Sequence, residues 1–177
     1  MTLPLCDEVG LPLGRWPATP EALEVFAAMP DQTHRARILD DWHTLTAAVR
    51  DATGVLPACW LSGSFFTTKD HPSDLDCVYI VHHDALSAAG QDPDKAKFLQ
   101  AVTGHGAREN FGLQIDAYFL AWWPRVGTNR GSVERRENYL ETRGYWDDLW
   151  SRSRHGELAD SKYPRRGYLE VVIDGYT

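Results

Sequence analysis

Apolar residues recur at helical spacing between about residues 33 and 52. Ile38, Leu39, Trp42, Leu45 and Val49 share one face, and Gly54 stands where such a helix would stop. Trp42 on that face reads as core. Upstream, LPLGRWPATPEALEVFAAM reads as an extended, proline-containing lead and then a helix start, with Thr19 as cap, Pro20 at the first helical position and Glu21 in the first turn. The pattern then shortens. Ala58-Cys59-Trp60-Leu61 is a brief apolar run stopped by Ser62-Gly63-Ser64, as expected of a buried strand. Phe65 to Ser73 reads as a loop, and Asp74 to Val81, rich in β-formers, as a second strand. Asp92-Pro93 opens a helix carrying Phe98, Leu99 and Val102 and ended by Gly104. Leu113 to Leu120 is a third strand closed by Trp122-Trp123-Pro124; Gly127 to Gly131 reads as a loop, and a helix is expected from Ser132 towards Trp150. Gly167 to Asp174 ends in a last strand. This order predicts an α/β (α+β) fold in one unit, 1–177, with a helical lead over about 1–54 and a helix-plus-strand extension over about 125–177.

Composition adds few constraints. The chain is 43% apolar and 24% charged, an ordinary globular balance, and it lacks the long apolar run that a membrane span requires. Its opening, MTLPLCDEVG, carries acids where a signal peptide needs basic and then apolar residues. Cys6, Cys59 and Cys77 are odd in number and show no CxxC spacing, which argues against a disulfide framework and a zinc site. These features lead us to expect a soluble, cytoplasmic protein. The net charge of −7 opposes broad, non-specific nucleic-acid binding. Basic residues nevertheless outnumber acidic ones from Arg125 to Arg166, including Arg135-Arg136, Arg152, Arg154 and Arg165-Arg166. That stretch reads either as a solvated helix surface or as a local phosphate-binding surface.

The informative segment is WLSGSFFTTKDHPSDLDCVYIV, Trp60 to Val81. On a strand alternate side chains share a face, so Asp74 and Asp76 project together while Leu75 and Cys77 turn into a core. Two adjacent carboxylates repel unless a positive group sits between them, and magnesium with oxygen ligands is the natural solution. A third carboxylate, Asp116, lies in an otherwise apolar strand, where it is costly unless it faces a polar cleft. Gly63 permits close backbone approach to a phosphate, and the hydroxyl and amides around Ser64 offer donors.

In this order (strand, Gly-Ser, loop, strand with two acids, helix, strand with one acid) the chain resembles the polymerase-β-like nucleotidyltransferase superfamily. GSFFTTKDHPSDLDCVYIV most resembles an uncharacterised family of small bacterial and phage nucleotidyltransferase-like proteins, which share a Pro- and Gly-containing lead and a closing apolar strand such as GYLEVVID. The resemblance implies a small mixed sheet flanked by helices, the minimal nucleotidyltransferase fold. It implies that Asp74, Asp76 and Asp116 hold Mg2+, with Mn2+ as a substitute, and that Asp116 helps deprotonate the attacking hydroxyl. Gly63 and Ser64 would then hold the β- and γ-phosphates of an NTP, and Lys69 would pair with a phosphate. The expected activity is transfer of an NMP to a hydroxyl of a protein, RNA or small molecule, and the resemblance suggests a toxin–antitoxin or phage-conflict setting. A rival reading is a catalytically silent module that binds a nucleotide or a protein partner. The third, nucleic-acid binding through the Arg125–Arg166 stretch, conflicts with the acidic total.

Other residues carry less. His82-His83-Asp84 reads as solvated turn, because adjacent histidines at a strand end point opposite ways. His105 is a loop histidine with no evident partner. Trp122-Trp123 reads as packing ahead of base stacking, and Trp146 and Trp150 as a helix face in the core.

Overall fold

The computed structural model describes residues 3–123, 130–153 and 165–176, with the side chains of 130–136 left out. Among the described residues five strands form one mixed sheet: β1 Arg15–Ala18, β2 Ala58–Ser62, β3 Leu75–His82, β4 Ile115–Trp122 and β5 Tyr168–Val172. The order is β1-β5-β2-β3-β4. β2 runs antiparallel to both neighbours, whereas β1–β5 and β3–β4 are parallel pairs. The expected α/β class therefore holds. No helix among the described residues is long and apolar enough to cross a membrane.

The alternation of side chains sorts the sheet into two buried faces. Cys59, Leu61, Cys77, Tyr79, Val81, Ile115, Ala117, Leu169 and Val171 face α2 (Gln32–Thr53), whose Ile38, Leu39, Trp42, Leu45 and Val49 are all buried. The short helix α1 (Glu24–Ala27) adds Phe26 to this layer. On the opposite face Ala58, Trp60, Val78, Ile80, Leu120 and Tyr168 meet α6 (Arg130–Trp150) through Trp146, Leu149 and Trp150. Trp42, Trp146 and Trp150 are thus packing residues, as their spacing predicts. Trp146 and Trp150 stack edge-on at 4.8 Å.

Several local expectations change. The proline-containing lead holds a strand, β1, because Gly167 and Tyr168 donate backbone hydrogen bonds to Leu11 and Gly14 and draw it alongside β5. Thr19 precedes a 3-10 turn (Pro20–Leu23) and does not cap it; its hydroxyl bonds the Glu21 carboxylate instead. Asp74 falls just before β3, not within it. His82-His83-Asp84 is the junction from β3 into α3 (His83–Gln91), where His82 Nδ1 accepts from the Asp84 amide and caps the helix. The expected helix after Asp92-Pro93 is α4 (Pro93–Val102), capped by the Asp92 carboxylate on the amides of Asp94 and Lys95. α5 (Gly106–Phe111) follows it. Arg130 and Gly131 lie in α6, while the rest of the expected Gly127–Gly131 loop and residues 124–126 and 154–164 lie outside the described residues.

Candidate active site

Register brings the acids together. Asp76 on β3 is the direct partner of Asp116 on β4, and Ser62 at the end of β2 is the direct partner of Asp76. All three point to the α6 side of the sheet, opposite the buried Leu75, Cys77, Ile115 and Ala117. α6 ends short of them: the Ser62 hydroxyl donates to the carbonyl of Trp150, its last residue. Asp74, one residue before β3, completes a row of carboxylates at the strand ends. Burial and the charges of Asp116 and Asp76 push the nearby Tyr118 phenol up from its ordinary pKa.

Gly63 continues directly from β2 with φ of +101°, a backbone region that L-residues avoid. A side chain there would collide with Oδ2 of Asp76. The glycine therefore does two jobs: it turns the chain into the 3-10 turn Ser64–Phe66 and leaves room for the Asp76 carboxylate. Phe65 and Phe66 anchor that turn in the core. Beyond it the loop is held from behind by Arg35 of α2, which is fully buried. Its guanidinium donates to the carbonyls of Phe65 (2.5 Å), Thr67 (3.0 Å) and Lys69 (2.6 Å), and its Nε to Pro30 (2.9 Å). Burial lowers its pKa, yet a guanidinium remains protonated, so a fixed positive charge lies under the loop.

In front of the same loop is a pocket of about 470 Å³ lined by Glu8, Ser64, Thr67, Thr68, Lys69, Ser153 and Arg166, among others. Four hydroxyl-bearing residues, two cations and the Glu8 carboxylate line one cavity, and Ser64 in its wall follows Gly63, the residue packed on Asp76. Lys69, placed in this region by its sequence position, is exposed and lines the pocket. Arg166 reaches it because its amide donates to the Ser151 carbonyl after α6. The Arg35 clamp and the hydroxyls of Thr67, Thr68 and Ser153 carried no signal in the sequence, although Arg35 stands three and four residues before Ile38 and Leu39, on the apolar stripe.

Two further residues join the acids. Arg108 of α5 donates Nη1 to Asp74 Oδ2 at 3.0 Å and Nη2 to Asp116 Oδ1 at 3.4 Å. His105 Nδ1 lies 2.7 Å from Asp116 Oδ2, and this bond raises the imidazole pKa. His105 thus has the partner its sequence did not reveal. Nothing in the local pattern separates Arg108 from a solvated helix arginine.

The donor chemistry suits a hard divalent cation: three carboxylates on adjoining chain segments, with space for Asp76 secured by a glycine. Among the described residues no group of three His, Cys, Asp or Glu side chains is arranged to hold an ion. Arg108 spans two of the three acids. Trp122 and Trp123 stand at the other end of β4, roughly 20 Å from Asp116 at about 3.3 Å per residue, where they pack on His82 and His83.

No curated protein and no solved structure matches the chain. A family model does, over residues 4–172, a span that takes in all five strands and every residue of the site: the chain belongs to DUF6932, a family of unknown function.

Proposed function

We propose that this protein is a magnesium-dependent nucleotidyltransferase that moves an NMP from an NTP to a hydroxyl acceptor. The observation that carries the reading is the register of Asp76 against Asp116 beside a positive-φ glycine, whose next residue, Ser64, lines a pocket that also holds Thr68, Lys69 and Arg166. Asp74, Asp76 and Asp116 would hold the cation, which supplies charge neutralisation for an in-line displacement at the α-phosphorus. Gly63 admits the polyphosphate close to the backbone, and Ser64 and Lys69 donate to its oxygens. The hydroxyl of Thr68 extends that surface, and the buried Arg35 charge favours an anion there. Asp116 takes the acceptor proton as the acceptor oxygen bonds to phosphorus and the bond to pyrophosphate breaks.

One observation favours a second reading, a silent nucleotide-binding module. Arg108 already neutralises two of the acids, as a structural ion pair would. Incubation with α-labelled NTPs, Mg2+ or Mn2+ and a host lysate distinguishes the two. Label should enter a protein, RNA or small-molecule fraction with wild type and fall at least about 100-fold in Asp74→Ala/Asp76→Ala. Tight nucleotide binding without any transfer would leave the silent module.

A further inference from the structure

Arg108 occupies an awkward place for a metal enzyme. Its guanidinium uses Oδ2 of Asp74 and Oδ1 of Asp116, while His105 engages Asp116 Oδ2. Both oxygens of Asp116 therefore already face nitrogen groups. A guanidinium and a divalent cation carry like charge and compete for the same lone pairs, so both cannot be held fully at once.

The backbone that carries Arg108 is firmly seated. Gly104 exchanges two backbone hydrogen bonds with Ala117, the residue after Asp116, at 2.6 and 2.9 Å. Asn110 Nδ2 donates to the Ala101 carbonyl at 2.8 Å, and Gly106 sits so close to that carbonyl that a Cβ would collide with it. Leu113 closes the far end by donating to Ala107. With α5 fixed in this way, the part of Arg108 that can yield is its side chain, 35% exposed at the mouth of the site.

We infer that Arg108 is the resident counter-ion of the acids, holding Asp74 and Asp116 in the metal-free protein and giving them up when a divalent cation binds. The inference rests on the metal-site reading above. It makes Arg108 a positioning residue: it sets carboxylate geometry and the affinity of the site for the cation.

The test is Mn2+ binding by electron paramagnetic resonance, with no nucleotide present, on wild type, Arg108→Gln and Arg108→Lys. Thermal melting is followed in parallel in chelator and in Mn2+. Arg108→Gln should bind Mn2+ at least about tenfold more tightly than wild type, since the competitor is gone. It should melt lower than wild type in chelator, where Asp74 and Asp116 lose the guanidinium that spans them, and gain more from Mn2+. Arg108→Lys, which keeps the charge without the bidentate span, should fall between the two and serves if the glutamine variant does not fold. A merely structural arginine would not raise metal affinity on removal. Equal or weaker Mn2+ binding by the variants than by a wild type that binds would overturn the Arg108 role alone. No Mn2+ binding by wild type or either variant would overturn the metal reading and this inference with it.

Discussion

Arg35 shows how much one side chain can hold. It is a charge with no solvent contact, and four backbone carbonyls from two segments converge on it. Removing it would leave those carbonyls without their donor inside the protein, at roughly 1–3 kcal/mol for each that water does not reach. Arg35→Met should therefore destabilise the fold by at least about 3 kcal/mol in urea unfolding; a loss under about 1 kcal/mol would mean the loop finds other donors. At this scale the sequence spoke unevenly. Gly63, Asp76 and Asp116 were legible because strand alternation and a glycine at a strand end carry direct geometric meaning. Arg35 and Arg108 were not, since their roles depend on partners more than 25 residues away for the Phe65 clamp and the Asp74 pair. Helical spacing alone says nothing about which carbonyl or carboxylate will face an arginine.

Among the elements, those with a strong local pattern were readable, the five-residue strands β2 and β5 included, whereas β1, α3 and α5 were not. α2 carries a full apolar stripe, and β3 a run of β-formers, so packing and propensity agree. β1 is four residues containing Pro17, and α5 six residues flanked by glycines; both exist because of partners, β5 for one and β4 for the other. The C-terminal end of α6 is fastened in a similar non-local way. Asp148 bonds Arg165 and Arg152, and these bonds, that to Arg165 first, lower its pKa below the ordinary 3.8. A carboxylate with a depressed folded pKa stabilises fully above its unfolded value, and that contribution is lost as pH falls through the folded value. The groups are largely exposed, so no more than about 1 kcal/mol is at stake. Asp148→Asn should melt slightly below wild type at pH 7, and the gap should close below pH 3.8. A gap that persisted in acid would assign the effect to packing instead.

The whole molecule is a sheet with a hard centre and soft margins. β2 is buried along its length and β3 nearly so, each between two strands and two helical layers, whereas β1 is a short edge strand with an exposed first residue. Hydrogen exchange should therefore be slowest in β2 and β3, opening only with global unfolding, and fastest among the strands in β1. Equal protection of β1 and β2 would show a more uniform cooperativity than the layering implies. The α/β class was legible here from the order of apolar runs. The strand order was not, because nothing local announces that the last strand slips between the first two.

That insertion of β5 between β1 and β2 bears on how the protein is made. β2 leaves the ribosome with β3 soon behind it, but its other edge stays open until the entire stretch through α6 has been translated. At about 5–20 residues per second this delay is roughly 5–20 s. During it Trp60 and its neighbours present an unpaired apolar edge, and β1 has nothing to pair with. A nascent chain in that state is a ready client for a chaperone, and translational pausing before Tyr168 would lengthen its exposure to aggregation.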